Sequence, residues 1–467
     1  MQHLPAELIL AITGQVFDVK DRLSLLRVCR HWRAILLDVV YSALEINTPQ
    51  ICNLVHALLV YPHLSTSILN VTVLGWHEPS GCAGQESLNA DVQGLLDEIA
   101  ESPKEINDWR EELLREEQGS WLALLLVLAP NLISISWDYT RPSPWVTVVV
   151  SRAALKGPPF DTRPALRYLQ SVEIRDMEYD EPSEYTSFYQ VMPFFHLPSM
   201  RSMSLENVKD FGPFEADLSL LHCDQGATRA ASGTSTIEIL ILPARCNLSS
   251  GAMDFIMSCA NLRKFVYQHD NEIDEHIHRD FRPQQFHNAL LSQKHSLEVL
   301  HLNDMGDVSC GLDETWEDDA EPADRWFGSF AEFAKLWDLR VRVRNLFNLH
   351  PKDRHHDIVL KEVLPGSLKW LHLTDCDEEH CSVLVGGILD LLGDRQELFL
   401  DLEQIFVYSG VAESSQPQPA GPHRPPQDVR VLATISQQFE PVQTLCDHAG
   451  ITFKLLLGAR YRIFYRG

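Results

Sequence analysis

Three stretches of the chain concentrate side chains able to do chemistry. The first is Leu339-Arg340-Val341-Arg342-Val343-Arg344, a strict alternation of apolar and guanidinium side chains. A strand places Val341 and Val343 toward the core and Arg340, Arg342 and Arg344 on the opposite, outward face. Three guanidiniums on one face form an anion site, because Arg pairs bidentately with carboxylate or phosphate. The second stretch, His269 to Asp280, is rich in His, Asp and Glu. It has neither a Cys pair nor the fixed Gly of a calcium loop, and reads as a solvated connection rather than a metal site. In the third, Cys376 and Cys381 flank Asp377-Glu378-Glu379-His380. Carboxylates beside a thiol raise its pKa, which disfavours a nucleophile there. His355-His356 is equally unremarkable as a metal site. No GxGxxG, phosphate-loop, GxSxG or HExxH motif occurs. The residues therefore point to recognition of an anion rather than to bond chemistry. They define no catalytic group, no metal site and no cofactor.

The Arg row must be positioned by its neighbours, and the chain shows what those are. A template, apolar-x-x-apolar-x-apolar, recurs at Leu132/Ile135/Trp137, Leu169/Val172/Ile174, Met200/Met203/Leu205 and Ile237/Leu240/Leu242. It returns at Leu262/Phe265/Tyr267, Leu297/Leu300/Leu302, Leu336/Leu339/Val341 and Leu368/Leu371/Leu373. Helical stretches precede several copies, at Trp121–Leu128, Ala252–Cys259, Phe286–Leu291 and Trp326–Leu336. The unit of helix, turn and strand resembles a leucine-rich repeat, which implies a parallel sheet lining a curved array. The copies are spaced irregularly, and of the expected Asn/Cys positions only Cys376 conforms, with Met177, Val208 and Met305 elsewhere. A generic α/β domain with L-x-x-L-x-L strands is the competing architecture. On the array reading, neighbouring strands lie about 4.8 Å apart, which brings His301, Asn303 and His372 beside the Arg row. The row then reads an acidic or phosphorylated segment of a target, or it neutralises the protein's own acidic run from Asp313 to Asp324.

The first forty residues carry a different signal. Pro5 and Glu7 suit a helix start, Leu8, Ile12 and Val16 share one helical face, and Gly14 offers a stop. A polar turn from Asp18 leads to Leu23, Leu25 and Leu26, then to Val28-Cys29-Arg30-His31-Trp32-Arg33, with Ile35 and Leu36 one turn on. Three short helices cannot enclose a full core alone, so they dock on the rest of the chain or on a helical partner. The ordered set Leu4-Pro5-x-Glu7-Leu8, Asp21-x-Leu23-x-x-Leu26 and Val28-Cys29-x-x-Trp32-Arg33 resembles an F-box. The resemblance implies that Leu4, Pro5, Leu8, Ile12, Leu23, Leu26, Val28, Cys29 and Trp32 build a unit that binds a Skp-family adaptor, some of them as internal core. Thr13-Gly14-Gln15 departs from the family's more apolar continuation, which bears on docking or on the length of the first helix.

Composition bounds the rest. The chain has 467 residues, with 39 Lys+Arg against 65 Asp+Glu, a formal charge of −26. Such a polyanion repels phosphate backbones, which excludes a whole-chain nucleic-acid binder. The 45% hydrophobic share supports a sizeable core. No apolar run reaches the roughly 18 residues of a membrane span; the longest, Trp121 to Ala129, stops at Pro130. The 10 Cys are scattered, as in a reducing compartment, and no secretory leader is evident, so the expected location is cytoplasmic or nuclear. The expected fold is α/β: a three-helix F-box over residues 1–45, then an irregular leucine-rich-repeat-like solenoid with a parallel sheet over 46–467. Loops are expected near 77–94, 225–236 and 313–324, and a disordered segment at 413–427. A charged helix from Pro103 to Gln118, with Trp109 in it, is expected on the surface, and Phe453 to Tyr465 as a closing strand. F-box with degenerate repeats resembles fungal F-box proteins. It implies a non-catalytic substrate receptor of a Skp–cullin–F-box ubiquitin ligase, whose partners are the adaptor, through it a cullin–RING ligase, and an unknown target. The alternative is an F-box scaffold that binds the adaptor without directing degradation.

Overall fold

The computed structural model describes residues 4–16, 19–75, 89–115, 117–139, 144–176, 185–210, 231–248, 250–269, 282–304, 326–347, 359–376, 378–409 and 427–457. The chain divides into two units, residues 1–207 with 211–237, and residues 208–210 with 238–467.

The first unit opens with three helices, α1 (Ala6–Gly14), α2 (Val19–Leu25) and α3 (Arg30–Ser42). α3 passes without a loop into β1 (Ala43–Asn47). The junction is tied down: the Leu69 amide donates to the Ser42 carbonyl at 3.1 Å, and the Ser67 hydroxyl to the Asp38 carboxylate at 2.6 Å. β2 (Asn70–Leu74), β3 (Ser134–Tyr139), β4 (Ser171–Asp176) and β6 (Ser202–Leu205) follow in a parallel sheet of order β1-β2-β3-β4-β6, with the two-residue β5 (Thr186–Ser187) between. The helix Gln118–Leu128, apolar on every side, is buried along its length, as such a helix must be. The second unit holds the short β7 (Val208–Lys209) and a parallel sheet in strict chain order: β8 (Ile239–Cys246), β9 (Lys264–His269), β10 (Val299–Asp304), β11 (Asp338–Arg342), β12 (Trp370–Thr374), β13 (Gln404–Ser409) and β14 (Thr452–Leu457).

All eight template copies found in the sequence fall on strands or their entries, and every template position is buried. They also stack in register. In the first unit Val71, Ile135, Val172 and Met203 are successive partners. In the second, Leu240, Phe265, Leu300, Leu339, Leu371, Ile405 and Phe453 form one continuous line. Backbone bonds repeat with the same period. The Glu238 carbonyl accepts from the amides of Arg263 and Lys264, that of Arg263 from Glu298 and Val299, and that of Trp337 from Lys369 and Trp370.

Several expectations are corrected. The loop expected over 77–94 does not include its last six residues, because Asn89 caps a helix from Ala90 to Ile99 whose Val92, Leu95, Leu96 and Ile99 are buried; residues 77–88 lie outside the described residues. Trp326–Leu336 is not helical. Phe327, Phe330 and Phe333 bury themselves in an irregular segment, and Gly328 has a positive φ of 99° and lies where a Cβ would stand 2.6 Å from the His287 ring. The helix Pro103–Leu114 does not lie on the surface by Trp109: that ring is fully buried, stacked on Trp145 at 4.6 Å, and its Nε1 donates to the Ser120 carbonyl. Of His269–Asp280 only His269 is described, and it is a core residue at the end of β9, bonded to the Tyr267 hydroxyl at 2.6 Å. The runs 313–324, His355-His356 and 413–426 lie outside the described residues; Gln427 already begins the helix Gln427–Gln438. β14 covers the first part of the expected closing strand.

Because each template residue packs against the copies on both sides, Leu371→Ala in the middle of the second sheet is expected to lower unfolding stability by about 2–5 kcal/mol. Urea unfolding followed by far-UV circular dichroism measures it.

Candidate functional site

The three N-terminal helices close a small core of their own. Ile9, Trp32, Leu36 and Val40 form it, with Leu4, Leu25, Leu26, Cys29 and Ile35 packed against it. Cys29 caps α3, its sulfur accepting from the Trp32 amide at 3.5 Å. At position 13, where an apolar residue would continue the buried stripe, the Thr13 hydroxyl donates to the Ile9 carbonyl at 2.9 Å, and α1 ends at Gly14. The nine sequence candidates thus separate. Trp32 is 4% exposed and internal, while Leu4, Leu26 and Cys29 are partly buried against it. Leu8, Ile12 and Val28 are 51%, 44% and 50% exposed. Pro5 is exposed at the N-cap of α1, and Leu23 lies in α2, its side chain outside the described atoms. Leu8 and Ile12 sit one turn apart on α1, roughly opposite Ala6 and about a quarter turn round from the Ile9/Thr13 face. Leu10 is exposed as well, but two residues from each of them it lies on the opposite side of the helix.

The second sheet assembles a polar row. His301, Arg340, His372, Phe406 and Lys454 are successive register partners across five strands. Asp338, two residues before Arg340 on the same face, holds Oδ2 3.0 Å from His301 Nε2 and Oδ1 3.6 Å from His372 Nε2. His372 stacks flat on Phe406 at 4.7 Å, and its Nδ1 lies 3.2 Å from the Tyr408 hydroxyl. The Arg340 guanidinium stands 5.8 Å over the Tyr408 ring. Nε and Nη2 of Arg342 both donate to Asp375 Oδ2, at 3.1 and 2.7 Å. Asn303 pairs in register with Gln268.

Two features depart from the sequence reading. The strand ends at Arg342 and a short helix begins at Val343, so Arg344 is a helix residue and not part of the expected strand: the alternation does not persist once Val343, Leu346 and Phe347 turn into the core. Nor is the row open. Arg340 and Arg342 are 6% and 5% exposed, and a carboxylate of the chain, Asp375, already engages Arg342. Asp338, Asp375, Phe406 and Tyr408 were not singled out in sequence. Phe406 was findable, because Leu402/Ile405/Val407 repeats the template once more.

With this geometry in place, comparison with known families is informative. Residues 1–44 match the model described as F-box-like, and residues 183–411 match the one described as a leucine-rich repeat domain. The chain carries an F-box-like domain at its N-terminus and a leucine-rich repeat domain after it. No curated protein matches it. The strands β1 to β4 lie upstream of the matched repeat region and have the same stacked register. Both domains are typical of non-catalytic adaptor proteins, and an F-box-like domain implies binding to a Skp-type adaptor.

In this chain the imidazoles of the polar row are neutral at pH 7. Burial, then the Arg340 charge, pushes His372 down to about 4, against the opposing pull of Asp338. Burial also lowers His301 despite the Asp338 carboxylate at its side. The contacts between Asp338 and the two rings are therefore not ion pairs at neutral pH. A depressed folded-state pKa gives stability that is present above the ordinary His value and is lost as pH falls toward 4, since the unfolded chain takes up the proton first. His372→Phe is expected to flatten the fall in stability between pH 6.5 and 4, by up to about 1.4 kcal/mol per pH unit for one proton. Urea midpoints at a series of pH values measure it.

Proposed function

We propose that this chain is the target-binding subunit of a Skp–cullin–F-box ubiquitin ligase. The observation that carries the reading is the exposure of Leu8, Ile12 and Val28 on a three-helix unit whose own core is already filled by Ile9, Trp32, Leu36 and Val40. Large apolar side chains held in water by well-formed helices suit a partner that supplies apolar surface. Pro5 and Leu23 join them as candidate contacts. Leu4, Leu26, Cys29 and Trp32 hold the face in shape from beneath.

The adaptor joins the F-box to a cullin and its RING subunit, and the repeats hold the target. The subunit breaks and makes no bond itself. It raises the effective concentration of a target lysine near a charged ubiquitin-conjugating enzyme, converting an encounter between two proteins into a reaction within one assembly. The site of action is the cytoplasm or nucleus, where that ligase works.

The combined substitution Leu8→Asp, Ile12→Asp and Val28→Asp places three charges on the exposed face and none in the core. The variant is expected to keep the wild-type circular dichroism and urea midpoint while losing copurification of the adaptor and cullin, a drop of at least a hundredfold in adaptor affinity. Adaptor binding within a few-fold of wild type, measured by calorimetry, rejects the docking face. Adaptor binding without cullin-dependent ubiquitin conjugates on any copurified protein rejects the ligase role.

A further inference from the structure

The first unit contains an open groove of about 460 Å³ that neither the adaptor face nor the polar row uses. Leu58, Leu59, Pro62, Leu95, Leu128 and Pro130 line it with apolar surface. It lies among the helix Thr48–Val60, the 3-10 turn Pro62–Ser67, the helix Ala90–Ile99 and the end of the helix Gln118–Leu128. Val60 and Tyr61, which separate two of the lining residues in the chain, are both largely exposed.

Two observations indicate that the groove is made to receive something. Gly94 lines it from the middle of the helix Ala90–Ile99. A glycine in a helix interior destabilises it by about 1 kcal/mol relative to Ala. Among the described residues nothing requires that glycine: no atom lies within 4 Å of where its Cβ would stand, and its φ is not positive. Bare backbone on a cavity wall permits close approach by another molecule. The second observation is charge. Of the groove's carboxylates, Glu98 is paired with Arg163 at 3.2 Å. Asp91 is exposed on the lining and has no ion pair among the described residues. Among the described residues the lining thus carries one carboxylate without an ion pair, on a protein of net charge −26.

We propose that this groove docks a segment of a partner protein that inserts an apolar side chain against Leu58, Leu95 and Leu128, packs its backbone over Gly94, and sets a Lys or Arg on Asp91. The site is separate from the adaptor face and does not depend on whether the assembly directs degradation.

The test is a selection of random twelve-residue peptides displayed on phage, run on the full chain bound to its adaptor. Recovered peptides are then synthesised and their affinities measured by fluorescence anisotropy. Selected peptides are expected to share a basic residue near a large apolar one. Gly94→Trp, which fills the groove from a position with free space, is expected to weaken them at least tenfold, and Asp91→Lys likewise. Gly94→Ala adds only the Cβ that close backbone approach excludes; the fold has space for it, and it is expected to weaken the peptides at least threefold while leaving adaptor affinity unchanged. Both groove variants are expected to retain adaptor affinity, so a failure here is distinct from a failure of the adaptor face. The proposal is overturned if no peptide is recovered, if the peptides bind Gly94→Trp as well as wild type, or if they are acidic. It is also overturned if the wild-type chain sediments as a dimer that Gly94→Trp dissociates, which would make the occupant a second copy.

Discussion

The structure rests on the stacking of like positions in register. A parallel strand buries its apolar residues only if the next strand presents matching ones at the same height. Here Leu240, Phe265, Leu300, Leu339, Leu371, Ile405 and Phe453 do so without interruption. The carbonyls at the strand entries accept two amides each from the next repeat, so the turns repeat with the sheet. No copy has a complete core of its own, and stability is therefore shared between neighbours rather than stored in each. The same constraint explains why spacing between copies can vary so widely. Register is set by the six template residues, and the connections only have to return the chain to the same edge.

This is also why the fold was legible before any coordinates. A template with fixed internal spacing survives in sequence even when everything between its copies drifts, and eight copies coincide with strands. The copies at Ile68/Val71/Val73 and Leu402/Ile405/Val407 obey the same rule and were equally readable. The failures have a common cause: they concern what a residue packs against, which periodicity does not encode. Trp109 lies on a helix full of charges and yet stacks on Trp145. The segment before β11 has helical spacing of Phe residues, but its aromatic rings are satisfied by an irregular path through Gly328. Alternation in Leu339–Arg344 suggests a longer strand than exists, because the core claims Val343 and Leu346 through a turn.

The candidate site divides along the same line. Which residues belong to the N-terminal trihelix was readable from their order and spacing. Which of them face solvent was not, because a three-helix core of four side chains leaves the choice to packing geometry. For the polar row, the strands and their order placed His301, Arg340 and His372 side by side, as periodicity allows. Asp338 and Asp375 supply the row's carboxylates, and they enter only with the register and the turn geometry. Buried beside one carboxylate, two imidazoles and a guanidinium settle into a neutral-His arrangement that no count of charges in the sequence would reveal.

One feature of the fold has a mechanical consequence. Helix α3 and strand β1 meet at the Ser42–Ala43 peptide bond with no spare residue between them. An α-helix turns by about 100° per residue. A single codon gained or lost at that seam would rotate the three helices about the axis of α3 by more than a quarter turn, while leaving every side chain of both elements intact. The junction thus behaves as a phase lock rather than a tether, and length changes there are predicted to be far less tolerated than in the connections between later strands.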